Sequence, residues 1–143
     1  MSKQMQVWFR FGLVLSAVTA FVGCGSRELP KQETYPVRGK VLWHGEPVRF
    51  AIITLQPMGG SGGAEAGGTT AQDGTFALRT LANEGEPDGA VPGQYEVRLE
   101  PYDPVRAGAL PKGATPTKIP GEMKTGVTVE VKAEENDLNI EIP

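Results

Sequence analysis

One imidazole and one thiol are all that the 143 residues offer for soft nucleophilic or transition-metal chemistry: His44 and Cys24. A Cys/His zinc site is therefore excluded, and so is a disulfide within the chain. His44 as a general base would need a serine and an orienting acid. Beyond Cys24 the only serines are Ser26 and Ser61, both in polar or Gly-rich stretches rather than on a rigid element. The expectation is a protein that is not an enzyme, with no catalytic residues, no metal ligands and no cofactor. Residues 59–68 read GGSGGAEAGG but lack the Gly-Lys-Ser/Thr ending that cradles a phosphate. Glu84, Glu86 and Asp88 put three carboxylates at alternate positions. Ca²⁺ takes six to eight oxygens, but the interleaved Gly85, Pro87 and Gly89 mark this stretch as turn chemistry. Trp43 and Phe50 flank a turn and could form a ligand surface for a sugar ring or a peptide, or simply complete the edge of a core.

The elements that must position these residues are short strands. The chain holds 19 glycines and 12 prolines, well above the usual combined share of about 12%. Such punctuation, with scattered Val, Ile and Thr, gives strands joined by turns. Period-two alternation starts at residue 35: Tyr35, Val37, Gly39, Val41 and Trp43 on one face, Arg38 and Lys40 on the other. His44-Gly45-Glu46-Pro47 is a turn, and 48–55 (VRFAIITL) reads as a strand central to a sheet, closed by Pro57. After the Gly-rich loop 59–68, Asp73-Gly74 between two β-prone runs predicts a hairpin over 69–80. A loop over 83–92 leads to 93–100, where Tyr95, Val97 and Leu99 alternate with Glu96, Arg98 and Glu100. A proline-rich loop fills 101–124. The last two strands set Val127, Val129 and Val131, then Leu138, Ile140 and Ile142, on one row each. About seven strands with single apolar rows, and no helix after residue 23, predict an all-β antiparallel sandwich; a closed barrel is the rival. A domain over 35–143 is large enough to fold without disulfides.

The residues before the sandwich are an address. All 17 acidic residues follow Cys24, so the formal charge of −3 divides into +2 before it and −5 after it. Residues 11–22 carry no charge. As a helix they would span about 18 Å, short of a hydrocarbon core of about 30 Å. A basic start, a short apolar run and then small residues form a secretory signal over 1–23. Its end, Ala20-Phe21-Val22-Gly23-Cys24, resembles the bacterial lipoprotein signal, with Phe21 where the family more often has Leu. The resemblance implies cleavage between Gly23 and Cys24 and lipid attachment at the Cys24 sulfur. Several acyl chains on one cysteine anchor stably where one holds only marginally. With Gly25 in the second mature position, the resemblance implies export to the outer rather than the inner membrane. Residues 24–34 are then a flexible tether reaching roughly 15–20 Å.

The order of pieces from residue 35 resembles the carboxypeptidase regulatory-like domain, a transthyretin-like (prealbumin-like, broadly Ig-like) sandwich, and small planctomycete-type lipoproteins that carry this domain alone. The residues that carry the likeness are Val37-Arg38-Gly39-Lys40-Val41, Gly45-Glu46-Pro47-Val48, residues 51–57 (AIITLQP), 70–76 (TAQDGTF) and 88–97 (DGAVPGQYEV), and Ile119-Pro120. The resemblance implies an extracytoplasmic, non-catalytic module. Its expected partners are the membrane, through the lipid anchor, and an envelope protein or carbohydrate. Nucleic acid is not expected, because the mature part is acidic. A structural or protein-interaction role and a ligand-binding role through Trp43, Phe50 and the loops after residues 57 and 82 both remain open.

Overall fold

The computed structural model describes residues 32–60, 63–82 and 88–143. In chain order these form β1 (Val37–Trp43), β2 (Glu46–Pro47), β3 (Ile52–Pro57), β4 (Ala66–Thr69), β5 (Thr75–Ala77), β6 (Arg79–Thr80), β7 (Gly93–Glu100), the one-turn helix α1 (Pro104–Ala107), β8 (Met123–Val131) and β9 (Asn136–Ile142).

The strands build an all-β sandwich of two sheets. One has the order β6-β4-β3-β7-β8, antiparallel throughout. The other is centred on β1. Along one edge of β1 runs β9, in register from Val37↔Asn136 to Trp43↔Ile142, while β5 and β2 pair with it in succession on the opposite edge. Val37, Val41, Phe76, Ile140 and Ile142 of this sheet meet Ile53, Leu55, Tyr95, Val97, Leu99 and Val131 of the other in a single core. Burying each of these large side chains stabilises the fold by about 1.5–3 kcal/mol relative to exposure. Tyr95 is fully buried and its hydroxyl donates to the Val91 carbonyl at 2.6 Å, which satisfies its polar end. Burial pushes the Tyr95 phenol pKa up.

The alternating rows at 93–100, 127–131 and 138–142 lie where the sequence puts them, but β8 already starts at Met123, inside the stretch expected to be loop, and β9 at Asn136. Other elements differ. The pairing of β1 with β9 is parallel rather than antiparallel. Asn136 closes the turn before β9: it accepts from Lys132 N through Oδ1 (2.9 Å), and its Nδ2 donates to the carbonyls of Lys132 (3.0 Å) and Glu134 (2.6 Å). Asn136 N then donates to Pro36 O at 2.9 Å, so β9 starts level with the start of β1.

Residues 48–51 are not strand. Phe50 takes a left-handed φ of 50°, and β3 begins only at Ile52, central to its sheet as expected. Asp73-Gly74 turns the chain but makes no hairpin: β4 pairs with β3 and β6, whereas β5 pairs with β1. The segment 75–80 changes sheets at Leu78, which is buried and donates from N to Val37 O at 2.9 Å. Strands that switch sheets make the corners of such folds. The end of the Gly-rich stretch is strand β4, not loop, and there glycine is required. A Cβ on Gly68 would stand 2.4 Å from the crossing Ala77 carbonyl oxygen. Within the proline-rich segment 101–124, α1 is a single turn begun by Asp103, whose side chain accepts from Val105 N.

Candidate functional site

The β1–β2 connection is a two-residue turn in which His44 (φ 51°) and Gly45 (φ 80°) both take positive φ. That is the backbone requirement of a type I′ hairpin, whose twist suits the flanking strands. The turn stacks the His44 imidazole on the Trp43 indole, with ring centroids 5.5 Å apart and planes 27° from parallel. Trp43 also packs against the core, and His44 N donates to Ile142 O at 3.0 Å. The ring pair is thus fixed to the end of the first sheet.

After β2 the chain dives through buried Val48, whose N donates to Val41 O at 3.0 Å, and emerges at Arg49. The left-handed Phe50 is held from both sides. Arg49 N donates to Thr117 Oγ1 (2.8 Å) and Arg49 O accepts from Thr117 N (2.9 Å). Ala51 N donates to Thr70 Oγ1 and Ala51 O accepts from Thr70 N, both at 2.9 Å. Strain of about 1–3 kcal/mol in such a residue persists only where neighbours over-determine it, as these four bonds do. The same bonds dock the loop before buried Ile119 beside the hairpin.

Between hairpin and loop lies a cleft of about 380 Å³, lined by Trp43, His44, Glu46, Pro47, Arg49, Thr115, Pro116 and Thr117. Glu46 and Arg49 bring one charge of each sign. Both are exposed, and neither forms an ion pair among the described residues. A broader trough of about 1010 Å³ crosses the outer face of the first sheet beside Arg38, Lys40, Asp137 and Asn139. Its Arg38–Glu135 pair, 3.5 Å apart and 65% exposed on both sides, is the solvated kind that contributes little.

Of the expected ligand surface, Trp43 lines the cleft and Phe50 does not; Phe50 is half-buried and shapes the site through its backbone. His44 sits at the cleft with its ring against Trp43, and no serine lines it. Gly23, Cys24, Ser26, Ser61, Glu84 and Glu86 lie outside the described residues. Asp88 is described, and its Oδ1 accepts from Thr80 N at 2.8 Å, which is turn chemistry. Among the described residues no three His, Cys, Asp or Glu side chains converge as metal ligands. No helix among them is long and apolar enough to cross a membrane. Sequence reasoning missed Arg49, Thr115, Pro116 and Thr117. Thr115-Pro116-Thr117 carries no periodicity, and the Thr117–Arg49 bonds together with buried Ile119 bring it across.

Fold and cleft together define an all-β sandwich with a concave, mixed-polarity site at one end. No family model matches the chain, and no curated protein matches it. Among solved structures it is similar to a DUF3823 family protein from Parabacteroides merdae ATCC 43184, at 19% identity and a TM-score of 0.42. That match covers 78% of this chain and 47% of the other, so the chain spans about half the length of that protein.

Proposed function

We propose that the chain is a non-catalytic lipoprotein of the bacterial cell envelope, a carboxypeptidase regulatory-like, prealbumin-like sandwich tethered to the outer membrane through Cys24, in a structural or protein-interaction role. The observation that carries this reading is the N-terminal pattern: a basic start, an uncharged run over 11–22, and Gly23-Cys24 as the junction to a polar stretch. The sandwich supports it from the other side. Among the described residues the first backbone bridge joins Tyr35 to Ala90 and β1 starts at Val37, in keeping with a domain that begins at residue 35. The test is fractionation in the native host. Wild-type protein partitions with membranes, incorporates labelled palmitate and has a mass that begins at a modified Cys24. Cys24→Ser abolishes the label and releases the protein. An unlipidated Met1 form in wild-type membranes overturns the reading.

A further inference from the structure

We infer that the cleft between the β1–β2 hairpin and residues 115–117 binds a neutral, hydroxyl-rich ligand: one or two rings of a saccharide. The inference deepens the envelope reading above, on which only the direction of display rests.

The argument is one of size, charge and lining. A volume of about 380 Å³ lies at the low end of the 300–1,000 Å³ typical of small-molecule sites. It has room for one or two rings, not for a folded segment. Pro47, Pro116 and the Trp43–His44 pair supply flat apolar surfaces, which suit the C–H faces of a sugar ring. The polar groups then discriminate. An anion would gain Arg49 but face Glu46; a cation would meet the reverse. A proline-rich peptide would use the flat surfaces and its carbonyls would accept from Arg49, but its prolyl nitrogens have no N–H to give the Glu46 carboxylate. A hydroxyl both donates and accepts, so a ring bearing several can satisfy the Arg49 guanidinium, the Glu46 carboxylate and the Thr115 hydroxyl together. Bonds to charged groups are the stronger ones.

The site is also built rather than incidental. Two non-glycine residues with left-handed backbone, His44 and Phe50, bracket it, and each places a neighbouring side chain in the lining. β1 is seven residues long, so at about 3.3 Å per residue the cleft stands roughly 20 Å beyond the point where the tether joins the domain. A chain anchored at Cys24 would present it away from the membrane.

Trp43 makes the test direct. Trp8 and Trp43 are the only tryptophans, so in full-length protein carrying Trp8→Phe the indole fluorescence reports on the cleft alone. The protein, held in a detergent without a sugar headgroup, is titrated with neutral di- and trisaccharides, uronate-bearing counterparts and a proline-rich peptide. The expected result is a saturable change with at least one neutral saccharide, weakened at least about tenfold by Arg49→Ala at an unchanged melting temperature. Should Arg49→Ala fail to fold, Thr115→Ala is read by the same criterion. No saturable response to any neutral saccharide overturns the inference, as does a response confined to uronates or to the peptide, or one undiminished in the folded variant. Because binding is read in solution, its failure leaves the Cys24 fractionation standing, and failure of that fractionation leaves the cleft standing.

Discussion

Thr117 holds the backbone of Arg49 at both of its polar groups: its hydroxyl accepts from Arg49 N at 2.8 Å while its own N–H donates to Arg49 O at 2.9 Å. Residues 68 apart in sequence are thereby held side by side, which ties the cleft wall to the loop that faces it. Thr117→Val keeps the shape and removes the acceptor. It is expected to cost about 1 kcal/mol, the low end for an unpaired donor because solvent can reach it. Thr117→Ser should restore nearly all of that. Paired urea melts measure both, and equal stability of the Val and Ser variants would contradict the role.

Gly39 pairs with Leu138 across the β1–β9 seam and leaves no room there for a side chain. A Cβ there would stand 1.9 Å from Leu138 O, a backbone atom that cannot yield without separating the strands. Gly39→Ala should cost about 3 kcal/mol. Gly45 is the control: its Cβ would meet nothing within 4 Å, so only its φ of 80° opposes substitution. Gly45→Ala should cost about 1 kcal/mol. Thermal melts that rank the two in the opposite order would show that the β1–β9 contact is not tight.

Asp73 introduces an acid-sensitive turn. The Thr75 hydroxyl, at 2.6 Å, and the Thr75 N–H, at 3.1 Å, hold its carboxyl below the ordinary carboxylate range. A depressed folded-state pKa stabilises the fold above the unfolded value of about 3.9 and loses that contribution as pH falls through the lower folded value. Melting temperatures of wild type and Asp73→Asn should therefore run in parallel above about pH 5 and converge below about pH 4. Curves that stay parallel down to pH 2 would remove Asp73 from the acid response.

Asp88 is expected to act on Thr80 N rather than on a cation. Asp88→Asn keeps an acceptor oxygen and should change stability little, whereas Asp88→Ala should cost about 1 kcal/mol. Ca²⁺ should leave the melt of the wild type in place. A site at one hundred times its Kd would add about 2.7 kcal/mol, easily seen. A Ca²⁺-dependent rise lost in Asp88→Asn would make the 84–88 loop a metal site.

What the sequence makes legible is local. The row Tyr95, Val97, Leu99 is readable because strand alternation needs only neighbours, and all three are fully buried. The same holds for Ile140 and Ile142. Partnership is not local. Asp73-Gly74 announces a turn, but whether the following strand returns to its own sheet or crosses to the other depends on Leu78 reaching Val37 O, forty-one residues back. Gly67 and Gly68 read as loop because glycine disfavours strands, while the contact that demands glycine comes from a crossing backbone. Phe50 is opaque for the same reason: no propensity gives a bulky aromatic a left-handed backbone, and only Thr70 and Thr117 impose it. Half of the cleft was therefore visible, in Trp43 and the His44-Gly45 turn, and the other half was hidden in a loop without periodicity.

The parallel alignment of β1 and β9 has a mechanical meaning. Tension applied between the start of β1 at Val37 and the end of β9 at Ile142 pulls two neighbouring strands lengthwise past each other. Their seven register pairs then share the load simultaneously, instead of parting one rung at a time as in a hairpin opened from its free end. A domain so wired resists stretching along its long axis far better than peeling across it, and it bears tension best when pulled from its tethered end and its opposite tip.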